Sequence, residues 1–477
     1  MFIGRSEETA RLRGAIKARA ARVALIYGRR RIGKTALIRQ AIGREPALFI
    51  EGLENQSTQA QIASFLDQAS RQLRRKLPTV TTWQAALYEL DAALAKRPMV
   101  IVLDEFQWLA NYRQELVSVL KMVWETRLSR KPGRTLILCG SIASFMTTKV
   151  LNSSAFYGRI DVTVHLQGFQ LAETARMLSK RGFGEILDAQ CFTGGVPKYV
   201  DLLSKGSSIA QSMNEEAFRP HGYFVAEYER IFTSHFGWND EFQRLIRSLA
   251  AAPYGLNRRD LAAAAKVEEG GMLSQRLYDL EAAGFISSQR PFDKGHETRL
   301  IRYHLSDPWI SFYHAFMRTR LKQIREEDRK DLFQTIRQTG AFRSWMGRAF
   351  ELVCMRHSGQ LAQILGFGSI SYDSGPWFRA PRKGIAGVQI DLAFDRDDKV
   401  ITLCEMKRQT APLGRSIIPE VERKAEVLRN EFPGRTIQPV LVVGGPVSKE
   451  VEASGYFFRI LQASELLKWF SSYNVIF

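Results

Sequence analysis

The stretch VALIYGRRRIGKT, Val23 to Thr35, decides the fold. An apolar run stops at Gly28, a basic loop follows, and Gly33, Lys34 and Thr35 open a helical segment, the context that separates a phosphate loop from a chance match. Glycine lets the backbone turn so that successive N–H groups point at phosphate oxygens, and a helix N-terminus adds partial positive charge. Gly28, Gly33, Lys34 and Thr35 are therefore candidate nucleotide ligands, with Lys34 reaching the β- and γ-phosphates of ATP and Thr35 ligating Mg2+. The alternative is a basic glycine turn with no ligand.

Outward from that loop, the apolar runs VALIYG, ALFIEG, MVIVLD and TLILCG alternate with helical stretches, each leaving room for a crossover helix. This predicts an α/β domain on a parallel sheet. MVIVLDEFQ places Asp104 and Glu105 at the C-terminal end of a buried strand, where such sheets bind ligands. Asp104 is the expected Mg2+ ligand, through water, and Glu105 the group that orients and polarises the attacking water. Alternatively, both only cap a strand. Ser141 ends TLILCGS, either as a sensor of the γ-phosphate or as a plain strand-ending serine. Arg159 in FYGRID either steadies transition-state charge, in cis or across a subunit interface of a homo-oligomer, or is a surface arginine.

A chain of 477 residues suggests about three domains. An apolar fraction of 45% and a charged fraction of 25% are those of ordinary soluble proteins. The longest apolar runs fall far short of the ~20 residues that cross a bilayer, and the N-terminus shows no signal-peptide pattern. A cytoplasmic protein with no membrane partner is expected. Cys139, Cys191, Cys354 and Cys404 lack paired spacing and are predicted to be buried, reduced thiols. With 68 Lys and Arg against 49 Asp and Glu, the net charge of +19 makes nucleic acid, DNA foremost, the expected partner class. A merely basic enzyme is the alternative, because net charge does not say where the charge lies.

Beyond Gln167 the pattern turns helical, and Leu171 to Lys180 and Gly195 to Leu203 are predicted pieces of a lid. Between Asp240 and Asp307, FQRLIRSLAAA, RRDLAAAAKV and MLSQRLYDLEAAGFI predict three short helices. Two strand-like runs, FISSQRPF and RLIRYHLSD, then flank the turn DKGHET. Three helices and a wing make a winged helix-turn-helix, which would offer Gln275, Arg276, Arg290 and Lys294 to nucleic acid. The same module also serves as a rigid spacer or a protein contact. The polar run Lys322 to Asp331 is either the seam before the last domain or a solvated helix face. The expected domains are 1–205, 206–320 and 335–477.

In the last domain a helix is predicted from Trp345 to Gln360, strands near Ser369, Val388, Val400 and Thr436, and a helix from Pro419 to Asn430. VQIDLAF puts Asp391 inside a strand, and TLCEMKRQ puts Glu405 and Lys407 on one face of the next. A hairpin around Arg396 to Lys399 would bring Asp391 beside Glu405. Two carboxylates and a lysine can hold Mg2+ or Mn2+ and activate water against a phosphodiester, Lys407 positioning the nucleophile or offsetting phosphate charge.

FIGRSEE, GRRRIGKT, VIVLDEFQWL, CGS, YGRID and TGGVPKY, in this order, resemble the archaeal-type P-loop ATPases of the STAND and AAA+ groups. That resemblance implies that Arg5, Glu8 and Pro197 contact the base. DPWISF, Asp307 to Phe312, is similar to the stretch that follows a winged helix in those relatives. Asp391 followed by Glu405-x-Lys407 resembles the PD-(D/E)XK nuclease superfamily, which implies Glu351 in GRAFELV as an additional catalytic and metal-binding glutamate. Archaeal-type ATPases with this C-terminal partner form a family, and GPWFRAPRKGIAGVQIDLAF looks like its tryptophan-rich approach to the aspartate. The helix after Lys407 lacks the glutamine and tyrosine pair of RecB-like exonucleases. The combined expectation is an α/β multidomain chain: a P-loop NTPase parallel sheet with a helical lid, a winged helix, and a restriction-endonuclease-like α/β domain. Its expected activity is that of an ATPase coupled to a Mg2+- or Mn2+-dependent DNA endonuclease. The alternatives are a STAND-like regulatory ATPase that only binds DNA or a protein partner, and a translocating motor.

Overall fold

A computed structural model describes residues 2–94, 98–236, 239–294, 300–327, 329–379 and 387–467. The chain divides into two compact units, one ending at Gly168 and the other starting at Phe169.

The first unit is built on β1 (Arg22–Tyr27), β2 (Ala47–Glu51), β3 (Met99–Asp104), β4 (Arg134–Gly140) and β5 (Val162–His165). Their order is β2-β3-β4-β1-β5, and every neighbouring pair is parallel. Four of these strands are the apolar runs of the sequence. A parallel sheet covered on both faces needs apolar side chains at nearly every position, and Val23 to Ile26 are all buried. The fifth, β5, lies at the sheet edge outside the four apolar runs, and of its four residues only Val164 is buried. β4 lies between β1 and β3, so Ser141, the residue after it, follows a strand flanked by the one that leads into the phosphate loop and the one that ends in Asp104.

The second unit opens with the helices Leu171–Met177, Phe183–Thr193 and Pro197–Leu203. Farther on, the helices Asp240–Ala250, Arg258–Ala265 and Gly271–Ala282 precede an antiparallel pair, β6 (Ile286–Gln289) and β7 (Arg302–Leu305). Residues 295–299, in and just after the expected DKGHET turn, lie outside the described residues. The pair is anchored beside a second sheet: the Phe292 N–H donates to Pro376 O at 3.1 Å, and the Phe292 ring joins that sheet's core, 5.5 Å from Phe432.

That sheet contains β8 (Tyr372–Arg379), β9 (Val388–Arg396), β10 (Val400–Lys407), β11 (Thr436–Val443) and β12 (Arg459–Gln462), in the order β12-β11-β10-β9-β8. β8, β9 and β10 run antiparallel in turn, while β10, β11 and β12 are parallel. The helix Ile417–Glu431 joins β10 to β11. The expected long helix runs from Gly340 to Arg356, breaks at His357, and is followed by Ser358–Ile364. Residues 380–386, part of the tryptophan-rich approach, lie outside the described residues.

Of the polar run Lys322 to Asp331, the first five residues lie on the helix Leu321–Glu326, whose Ile324 is fully buried. Aromatic residues from both sides of it share one cluster: Phe192 stacks on Trp345 (5.8 Å between centroids), Phe218 on Phe333 (5.3 Å), and Phe312 meets Trp345 edge-on (5.2 Å). Charge marked this segment in the sequence, but buried aromatic area decides what packs together.

Candidate functional site

Gly28 leaves β1 with φ +152°, and a Cβ there would lie 2.3 Å from the Leu166 carbonyl oxygen, so only glycine fits. Gly33, at φ +92°, caps the helix Lys34–Ile42. The buried Lys34 folds back along the loop, its Nζ donating to Gly28 O (2.9 Å) and Arg29 O (3.1 Å). Thr35 Oγ1 donates to Asp104 Oδ2 at 2.7 Å, so the two residues expected around Mg2+ meet. Their hard oxygen donors suit that ion.

Glu105 adopts a left-handed φ of +47° at the end of β3. Its Oε2 accepts hydrogen bonds from Ser141 Oγ and from Gln107 Nε2, both at 2.6 Å, and Gln107 Nε2 also reaches Ser141 Oγ at 3.1 Å. Sequence reasoning missed Gln107. The available signal was one amide inside FQWL, a segment whose four residues are all buried. It also missed Glu51, which faces Asp104 in the β2–β3 register and whose carboxyl is pushed up by burial and by Asp104 and Glu105.

Arg5 is buried, donates to the Gln167 carbonyl and lies 3.5 Å from Glu8. Arg159 pairs with Glu125, which Lys121 also holds at 2.8 Å. Pro197 is the first residue of the helix Pro197–Leu203, in the second unit.

In the second unit, the pairing of Cys404 with Leu392 makes Glu405 and Asp391 the next residues in line on β10 and β9. Glu405 is buried, with Oε1 2.9 Å from Lys407 Nζ and Oε2 2.7 Å from Lys424 Nζ. Lys407 also lies 3.0 Å from Glu420. Lys424 and Glu420 come from the helix Ile417–Glu431, which the sequence presented only as a connection. Burial pushes the Glu405 carboxyl up, but Lys424 and Lys407 outweigh it and hold it below the usual carboxylate value. Burial disfavours the Lys407 charge, and Glu405 and Glu420 more than restore it. Asp391 is raised by burial against the pull of Lys424 and of Gln389, which donates to its Oδ1 at 3.0 Å. Glu351 is pushed up to about 7, by burial first and then by Asp391 and Glu405.

These residues share one electrostatic neighbourhood. Among the described residues, however, no group of three His, Cys, Asp or Glu side chains is placed to hold a metal ion. The oxygen donors of Glu351, Asp391 and Glu405 suit Mg2+ or Mn2+ in kind, provided that Glu405 exchanges ammonium partners for the ion.

Of the four residues expected to face nucleic acid, Arg276 does not: it is 15% exposed and pairs with Glu241 of the helix Asp240–Ala250, bracing one helix on another. Gln275 is exposed and donates to Asp279, and Lys294 is 48% exposed beside Asp293. Arg290 lines a cavity within the second unit. All four cysteines are buried and free, and no described helix is long and apolar enough to cross a membrane.

Residues 2–202 match the family described as "ATPase domain predominantly from Archaea", so the chain carries an ATPase domain of that type. Over 413 residues the chain is 22% identical to an uncharacterised protein of Methanocaldococcus jannaschii, covering 85% of this chain and 87% of that one. Among solved structures it is similar to a Walker-type ATPase of Pyrococcus abyssi, with 18% identity, 66% of this chain and 96% of that chain covered, and a TM-score of 0.49. It is also similar to the ORC2 protein of Aeropyrum pernix, with 14% identity, 70% and 95% covered, and a TM-score of 0.44.

Proposed function

We propose that the chain is a Mg2+-dependent ATPase whose second unit binds and cleaves nucleic acid, with DNA as the substrate. For the first activity, the carrying observation is the contact of Thr35 with Asp104 beside a Glu105 fixed by Ser141 and Gln107. Thr35 and Asp104 would hold Mg2+, which offsets the charge of the phosphates. Lys34 exchanges its two carbonyl partners for phosphate oxygens, and Glu105 orients the attacking water and takes its proton. Arg159 has to leave Glu125 before it can serve a nucleotide, in its own chain or a neighbour's.

For the second activity, the reading rests on Asp391 and Glu405 standing side by side on antiparallel strands, with Lys407 on Glu405 and Glu351 close by. On this reading the three helices with β6 and β7 are a winged helix, and β8 to β12 with their flanking helices are a PD-(D/E)XK-like fold. Asp391, Glu405 and Glu351 would hold Mg2+ or Mn2+, which makes water nucleophilic near neutral pH. Lys407 stays charged and faces the developing negative charge of the phosphate. The net charge of +19 supports a polyanionic substrate, and four free, buried thiols suit a reducing cytoplasm.

One observation favours a second reading: with both Glu405 oxygens on lysines, the site also suits an ATPase that grips nucleic acid without cutting it. Plasmid and linear DNA incubated with the protein and Mg2+ or Mn2+, with and without ATP, separate the two. Strand breaks that need the metal are expected. DNA-stimulated ATP turnover without breaks would leave only the second reading.

A further inference from the structure

The second unit encloses a cavity of about 450 Å³, walled on one side by β6 and β7 and on the other by β8, β9 and the helix Gly340–Arg356. Glu351 and Asp391 line it together with four arginines, Arg290, Arg302, Arg348 and Arg379. Guanidinium groups in this number match phosphate oxygens, which they bind in pairs. Two of them are braced. Arg302 lies over the Phe378 ring, 4.9 Å from its centroid, and Arg379 is held 3.2 Å from Glu431 while its buried Nε has no hydrogen-bond partner among the described residues. Arg348 makes no hydrogen bond or salt bridge among the described residues, yet it lies near enough to Glu351 to lower that carboxyl. Tyr254, 66% exposed, adds an aromatic face to the lining.

The volume is that of a small-molecule pocket. A duplex presents its bases in grooves that are read from an open surface. Strands β6 and β7, which wall this cavity, are tied to the second sheet through Phe292, and a volume of about 450 Å³ is smaller than a duplex segment needs. An unpaired strand has no such demand: its bases turn out one at a time onto aromatic faces while arginines track the phosphates.

We propose that this cavity receives an unpaired nucleic-acid strand, one nucleotide at a time, with its phosphate on the arginines and its base against Tyr254. The proposal rests on reading the Glu351 and Asp391 site as a nucleic-acid site, and it specifies the substrate as single-stranded or frayed rather than paired. His304, another lining residue, is lowered to about 4 by burial and by Arg302, so at neutral pH it offers a base edge an uncharged hydrogen-bonding ring.

The test uses the full chain in EDTA and fluorescence anisotropy with labelled probes of equal length: a single strand, a blunt duplex, and a duplex with an unpaired tail. The single strand and the tailed duplex are expected to bind at least about tenfold more tightly than the blunt duplex. Tyr254→Ala and Arg348→Ala should each cut that preference several-fold, with Arg348→Lys recovering part of it. Tyr254 is exposed enough for its variant to fold. Equal binding of blunt duplex overturns the proposal, as does displacement of the single strand by a mononucleotide at equal phosphate concentration, which would assign the cavity to a free nucleotide. A parallel cleavage assay with Mn2+ separates this result from the nuclease reading. Single-strand preference without breaks upholds the cavity assignment and removes the nuclease, whereas cutting inside duplex DNA with no strand preference does the reverse.

Discussion

At the end of β3, Asp104 and Glu105 are held by neutral donors, the hydroxyls of Thr35 and Ser141 and the amide of Gln107. On β10, Glu405 is held by the ammonium groups of Lys407 and Lys424. Both sites set an aspartate and a glutamate at a sheet, but only in the second does a carboxylate bond directly to ammonium groups. The first is ready for a cation that arrives with its nucleotide. The second has its compensation built in, so an incoming cation must displace a lysine.

The contrast predicts different outcomes for removing one group from each site. Glu105→Gln keeps the shape and the neutral partners, so ATP should still bind while turnover falls about 10²- to 10⁴-fold, the usual worth of a general base. Single-turnover hydrolysis measures this, and near-normal turnover would mean that Glu105 is not the base. Lys424→Ala leaves the buried Glu405 under-compensated, which costs about 3 kcal/mol of stability when one partner of a buried pair is lost. Urea unfolding should show the loss, and Mn2+ should restore part of it if the site can accept an ion.

Glu351→Gln is a smaller test, and its sign can be worked out. The folded-state value of about 7 lies above the ordinary 4.5, so the folded chain holds this proton longer than the unfolded chain does. Stability from this group is full below pH 4.5, declines as pH rises to 7, and stays low above it. Relative to Glu351→Gln, the wild type in EDTA should lose roughly 1 to 3 kcal/mol across that window. Parallel pH profiles would contradict the placement of Glu351 among Asp391 and Glu405. The smallest effect is expected from Gln107→Ala, which removes one hydrogen bond to Glu105 and should cost about 1 kcal/mol, read as a several-fold fall in kcat with KM for ATP unchanged.

The two sites also differed in how far the sequence revealed them. Gly28 to Thr35 are contiguous, and each residue has a local reason to be there, so loop, strand and helix could be read together. Asp391, Glu405 and Lys407 were legible because alternation along a strand fixes which side chains share a face. Lys424, Glu51 and Gln107 were not, since each reaches its carboxylate neighbours through a packing or register that no local pattern encodes. Arg276 looked like a free cation because a helix periodicity does not show Glu241 waiting on another helix. Strand β5 escaped notice because an edge strand of four residues needs only one buried side chain.

The measurement that bears most directly on the account is ATP turnover and metal-dependent strand cleavage in the same preparations of wild type, Lys34→Ala and Asp391→Ala. Lys34→Ala should lose ATP binding and turnover, because it removes the ammonium group expected to reach the β- and γ-phosphates. Asp391→Ala should lose cleavage and keep wild-type ATP turnover. Cleavage by Asp391→Ala at the wild-type rate, or ATP turnover by Lys34→Ala at the wild-type rate, would contradict the assignment of two separate chemistries to these two sites.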